Sequence, residues 1–157
     1  MSPHVAVFDV DGTLLNGDCL RMAAIRSRGP LGLLQAALTL LPWLLAWQLR
    51  RITTGEFKEK TLALFHICER VNHSEVNGNS DWLLPDLLQR LRPEALQRLR
   101  LHQERGDRVL LCSASPRMLL APLADALAVE LIATELHRRD GRWQPRLAGP
   151  NCKGPER

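Results

Sequence analysis

The stretch Val5-Ala6-Val7-Phe8-Asp9-Val10-Asp11-Gly12-Thr13-Leu14-Leu15 constrains the chain most. Small and β-prone apolar residues from Val5 to Phe8, with Val10 between two acids, predict a central strand buried on both faces. Gly12 lets the backbone turn sharply after it. Ligands of open parallel α/β sheets collect at the carboxyl ends of the strands, so Asp9 and Asp11 are expected at such a mouth rather than on plain surface. A bare Asp-Gly would mark only a turn, but here two carboxylates stand close together. Such a pair can hold a hard cation such as Mg²⁺, which takes oxygen ligands and keeps waters in its remaining positions. It can also divide a displacement, one carboxylate attacking while the other moves a proton.

A second strand, Arg108-Val109-Leu110-Leu111-Cys112, ends in Ser113-Ala114-Ser115-Pro116. Pro116 suits the first turn of a helix and Ser115 its cap, which would turn backbone N–H groups and a hydroxyl toward an oxyanion at the sheet edge. Leu119, Leu123 and Leu127 share one face of the following helix, and residues 129–136 read as a third strand. Strands joined by a helix in this way make a parallel, doubly wound unit. Asp140-Gly141 predicts a hairpin turn between Leu136 and Leu147.

Between the two strands lies a segment of different character. Gly29-Pro30 breaks the helix expected before it. Residues 31–49 are uncharged over 19 positions, with Arg26 and Arg28 before them and Arg50 and Arg51 after. As a helix, Leu31, Leu34, Leu38, Leu41 and Leu45 fall on one face, with Gln35, Thr39, Pro42 and Ala46 as a weakly polar stripe. Burial in a helical subdomain is the first expectation, contact with a membrane interface the second, and a bilayer span the third, since arginines at both ends oppose a simple oriented span. Thr53-Thr54-Gly55-Glu56 reads as a capping box. Phe57, Thr61, Leu64, Cys68 and Val71 then recur at helical spacing, residues 72–80 form a polar turn, residues 81–91 are helical around Pro85, and Pro93 starts a helix that Gly106 ends. Residues 16–92 thus read as a helical insert.

A chain of 157 residues, 45% of them apolar, can bury one core with such an insert. The net charge of +4 suits an anionic ligand without specifying one. Arg90, Arg92, Arg98, Arg100, Arg105 and Arg108 lack interleaved aromatics, so they read first as a solvated face and second as an anionic-lipid contact, and no nucleic-acid partner is expected. Cys19, Cys68, Cys112 and Cys152 are far apart, which predicts free thiols in a reduced, cytoplasmic setting. The spacing of His66, Cys68 and His73 matches no common metal site. A core strand at the N-terminus leaves no room for a signal peptide.

Asp9-Val10-Asp11-Gly12-Thr13-Leu14 resembles the first signature of the haloacid dehalogenase superfamily, Ser113 at the end of the second strand resembles its second, and Lys153 in Lys153-Gly154-Pro155-Glu156 resembles its third. The order of these motifs is similar to that of the phosphoserine-phosphatase-like group. Arg92-Pro93-Glu94-Ala95-Leu96, Ser113-Ala114-Ser115-Pro116 and Gly149-Pro150-Asn151-Cys152-Lys153-Gly154 look closer to its bacterial IB-type hydrolases, whose relatives include a phosphatidylglycerophosphate phosphatase. The resemblance implies a Rossmann-like α/β core of residues 1–15 and 93–157 and a helical cap of residues 16–92. It implies Mg²⁺-dependent phosphomonoester hydrolysis through an aspartyl phosphate. Asp9 would be the nucleophile and Asp11 the acid and base, both serving the metal. Thr13 would orient the loop, and Ser113, Ala114 and Lys153 would meet the phosphoryl group. The substrate implied is a small or amphipathic phosphate, a lipid phosphate included, with peripheral contact of residues 31–49 at the inner membrane. The fourth signature, a further acid pair, has no match after Lys153. An incomplete sheet with the first strand on an edge, a piece of a longer phosphatase, and a catalytically impaired phosphate-binding or membrane-associated module are the corresponding expectations.

Overall fold

Residues 4–74, 81–150 and 152 are described by a computed structural model of the chain. Strands β1 (Val5–Asp9) and β2 (Arg108–Pro116) pair in parallel, and β2 pairs in parallel with β3 (Glu130–Thr134). The order is β1-β2-β3, which leaves β1 on an edge. Register sets Phe8 beside Leu111 and Asp9 beside Cys112, so the first acid and the serine loop emerge from the same end of the sheet. Parallel neighbours need a crossover. Helix α6 (Arg117–Leu127) supplies it between β2 and β3, presenting Leu119, Leu120 and Leu123 to the core beside Val109, Leu111 and Leu131. Helix α5 (Pro93–Glu104) leads into β2, with Pro93 in its first turn and Gly106 at φ 75° just beyond its end.

The expectation that β1 is buried on both faces is not met. Val5 is 57% and Val7 60% exposed, and Ile132 on β3 is exposed as well. The alternate positions Val109, Leu111, Leu131 and Ala133 are buried against the helices. Only one face of this three-stranded sheet is covered among the described residues, and β1 has a neighbour on one side alone.

Helix α1 (Cys19–Gln48) begins at Asp18, whose Oδ1 accepts from the Arg21 N–H at 2.7 Å. The break expected at Gly29-Pro30 is a kink inside this long helix, with Gly29 at φ 67°, ψ −178°. Its tryptophans turn inward. Trp47 stacks on Phe57 at 5.5 Å and donates from Nε1 to Thr54 Oγ1 at 3.2 Å, while the Lys60 ammonium sits 4.5 Å over the Trp43 ring. The leucine face is left outside, with Leu31 81% and Leu38 65% exposed and Leu34, Leu41 and Leu45 exposed too. Burial of that face, the first expectation, is therefore corrected. The wide aromatic rings occupy the contact with the next helix, and the leucines lie on the opposite side.

The capping box at Thr53 forms as expected, opening α2 (Thr54–Leu64). The helical spacing read through to Val71 is interrupted, because His66 adopts a left-handed conformation (φ 51°) and α3 (Ile67–His73) starts after it. Of the expected turn at 72–80, residues 75–80 lie outside the described ones. A 3₁₀ turn (Asp81–Leu83) and α4 (Leu84–Gln89) follow, around Pro85. The hairpin β4 (Leu136–Arg139) and β5 (Arg142–Leu147) turns at Asp140-Gly141. It clamps α2 and α3: Asn72 exchanges hydrogen bonds with the Trp143 backbone at 2.8 and 3.1 Å, and Leu147 N–H donates to Glu59 Oε1 at 2.7 Å.

Candidate active site

Past Asp9 the backbone closes a single wide turn, with Leu14 N–H donating to the Asp9 carbonyl (3.2 Å) and Leu15 N–H to that of Val10 (2.8 Å). Leu14 and Leu15 are fully buried and anchor the turn. Gly12, at φ 80°, starts the return, and its N–H reaches the Gly17 carbonyl at 3.0 Å. Reciprocal backbone bonds from Asn16 to Arg90 and from Arg92 to Leu14 tie this loop to the approach of α5.

The turn sends its two acids in different directions. Asp9 is exposed, and its Oδ2 accepts from Thr13 Oγ1 at 2.7 Å. Asp11 faces inward and is half-buried. Its Oδ1 accepts from the Cys19 N–H at 2.8 Å, at the start of α1, and its Oδ2 accepts from Ser115 Oγ at 2.6 Å and Ser113 Oγ at 3.0 Å. Burial pushes the Asp11 carboxyl above the ordinary value of 3.8 against the opposing pull of these donors, and Asp18 adds to the rise. The expectation that neither acid lies at the surface therefore holds for Asp11 and not for Asp9.

Ser113 and Ser115 are both buried. Ser115 does not cap α6, contrary to the sequence reading. Strand β2 runs on to Pro116, which itself occupies the cap position, and the Ser115 hydroxyl is engaged by Asp11. Ser113 Oγ also accepts the Ser115 N–H at 3.0 Å, which closes a tight loop around Ala114. The Ala114 carbonyl accepts from Thr134 Oγ1 at 2.6 Å and from the Lys58 ammonium. Asp9, Asp11, Thr13, Ser113 and Ala114 thus gather at one end of the sheet, and Lys153 lies outside the described residues.

Sequence reasoning passed over Lys58. Its signal was available: Lys58, Thr61, Leu62 and Phe65 fall at i, i+3, i+4 and i+7, which places a lysine on the apolar stripe of α2.

The oxygen donors here suit Mg²⁺ in kind. Asp9 offers an exposed carboxylate with Thr13 on one oxygen, whereas both side-chain oxygens of Asp11 already accept hydrogen bonds. No group of three or more potential ligands occurs among the described residues. His66 and His73 instead turn to Glu69, through its carboxylate at 2.6 Å and its carbonyl at 2.8 Å, while Cys68 is buried.

Residues 6–157 match the family described as haloacid dehalogenase-like hydrolase. Protein CicA of Caulobacter vibrioides is 30% identical over 159 residues, spanning 99% of this chain and 69% of its own. A Bordetella pertussis Tohama I protein of unknown function superposes with a TM-score of 0.74 at 25% identity, covering 97% of this chain and 69% of that one. A substrate-bound phosphoserine phosphatase shares the fold at 13% identity, with a TM-score of 0.56 over 95% of this chain and 64% of its own. The chain, with its paired aspartates at the C-terminal end of an edge strand, belongs to the haloacid dehalogenase-like hydrolases.

Proposed function

We propose that this hydrolase cleaves phosphomonoesters through an aspartyl phosphate on Asp9. The observation that carries the reading is the division of the two acids. One is exposed and oriented by Thr13, and the other is drawn inward with its proton affinity raised. In this scheme an Asp9 oxygen attacks phosphorus as the bond to the leaving oxygen breaks, and Asp11 rotates from its serine partners to give that oxygen a proton. Asp11 then takes a proton from water, whose oxygen attacks the phosphoryl group and frees Asp9 with release of phosphate. Ser113, the Ala114 main chain and Lys153 would receive the phosphoryl oxygens. Mg²⁺, held by the Asp9 carboxylate and the Asp11 main-chain carbonyl with water completing its shell, would neutralise charge on the transferring group. Residues 16–92 would act as the cap over a core of residues 1–15 and 93–157.

Hydrolysis of an aryl phosphate by this chain tests the proposal. Turnover should require Mg²⁺, vanish in excess EDTA and vanish in Asp9→Asn. A folded wild-type chain without turnover would instead support a phosphate-binding module, a reading favoured because no group of three or more potential metal ligands occurs among the described residues.

The exposed leucine face supports an amphipathic substrate and peripheral membrane contact. No described helix is long and apolar enough to cross a bilayer, but residues 19–55 contain no acid, and exposed Arg50 and Arg51 end the ridge. Pairing of two such helices in either direction would set arginines against arginines, whereas anionic headgroups would match them. Four free thiols suit the cytoplasmic side. Co-sedimentation with anionic vesicles, lost in Leu34→Glu/Leu38→Glu, is expected; indifference to vesicles would remove this part.

A further inference from the structure

Lys58 is the charged side chain among the buried described residues, at 7% exposure. It lies on the inward face of α2 with Thr61 and Leu62, in the helical segment between β1 and β2. Its ammonium crosses to the core and donates to the carbonyl of Ala114. That carbonyl belongs to the short loop whose flanking hydroxyls, on Ser113 and Ser115, both donate to Asp11. Thr134 Oγ1 donates to the same carbonyl at 2.6 Å, so that acceptor would have a partner without the lysine. Burying an ammonium is costly when a neutral hydroxyl can make the same bond. A fixed cation at this place has a second consequence, because its field reaches whatever anion meets the Ser113 loop. It also comes from the helical segment rather than from the sheet, so its charge arrives only when that segment is packed on the core.

We propose that Lys58 is a positioning residue of the phosphate site, fixing the Ser113–Ser115 loop from the helical side and adding the positive charge that the phosphoryl dianion meets there. The inference rests on the phosphatase reading of Asp9 and Asp11. Burial, the contact to Ala114 and the proximity of that loop to Asp11 all belong to one arrangement: α2 delivers a cation to the C-terminal end of β2. A lysine that merely ties α2 to the core would be replaceable by any donor of similar length, whereas a lysine that serves phosphate would be replaceable only by another cation.

The test measures binding of inorganic phosphate by calorimetry, and inhibition of aryl phosphate hydrolysis by phosphate, for wild type, Lys58→Gln and Lys58→Arg. Lys58→Gln should weaken phosphate roughly tenfold or more while its melting curve stays close to wild type, and Lys58→Arg should recover most of the affinity. Unchanged phosphate affinity in Lys58→Gln would overturn the proposal, as would a loss that Lys58→Arg does not repair. If Lys58→Gln does not fold, Lys58→Met, uncharged and of similar length, takes its place: phosphate affinity about tenfold below wild type supports the role and wild-type affinity overturns it. A folded wild type that neither binds phosphate nor turns over the ester would instead fail the phosphatase reading, and this inference with it.

Discussion

Ser115 Oγ donates to Asp11 Oδ2 at 2.6 Å, joining two residues 104 positions apart in the chain. The bond explains why a serine before a proline is not a helix cap here. It also holds the inward acid against the end of β2, and it favours the charged form of Asp11 while burial favours the neutral one.

Ser115→Ala should therefore raise the Asp11 carboxyl further. A carboxyl whose folded value lies above its ordinary 3.8 binds its proton more tightly when folded. The stability it lends is full below that value and is lost as pH rises through the raised one. Metal-free Ser115→Ala chain should lose melting temperature more steeply than wild type as pH rises from about 4 toward neutrality. Melting curves at stepped pH check this, and superimposable profiles would show that the bond does not govern Asp11. If Asp11 is the acid of the proposed scheme, the limb of the hydrolysis pH profile that reports its protonated form should move to higher pH.

The motif strand, the serine loop, the crossover helix and the hairpin were legible in the sequence because each rests on local chemistry: β-prone runs, Gly12 at a left-handed turn, Pro93 in the first turn of a helix, Asp140-Gly141 at a hairpin. What was not legible depends on which neighbour wins a shared surface. Trp43 and Trp47 took the contact with α2 and left Leu31, Leu34 and Leu38 outside, although the leucines make the cleaner periodic stripe. The break at His66 has no proline or glycine to announce it. A lysine on an apolar stripe ordinarily snorkels to water, and only the packing of α2 against Ala114 turns Lys58 inward.

Thr13 and Asp9 make the second relationship that a substitution can isolate. Thr13→Val keeps the shape of the side chain and removes the 2.7 Å bond to Asp9 Oδ2. Both residues are exposed, so the fold should be indifferent to the change. The proposed nucleophile, however, loses the group that fixes its rotamer. A hydrogen bond to a charged group is worth about 1.5–3 kcal/mol, so kcat for an aryl phosphate should fall about ten- to a hundredfold. Steady-state kinetics beside a thermal melt separate the two effects. A fall in melting temperature with kcat preserved would assign Thr13 to the loop rather than to Asp9.

The four cysteines divide by environment rather than by spacing. Cys19 is fully buried behind Asp11, and burial with the nearby Asp11 charge holds its thiol well above the usual range. Burial, with Glu69 nearby, pushes the Cys68 thiol up to about 12. Cys112 is half-buried on the open side of β2, and Cys152 is exposed. Since the thiolate is the reactive form, an aromatic disulfide reagent at mildly alkaline pH should modify Cys152 first and Cys112 next, with Cys19 and Cys68 reacting only after denaturant is added. Peptide mapping of the labelled chain assigns each site. Early labelling of Cys19 would mean that the start of α1 opens away from Asp11, and the Cys19 N–H bond to that carboxylate would then be the part of the site to release first.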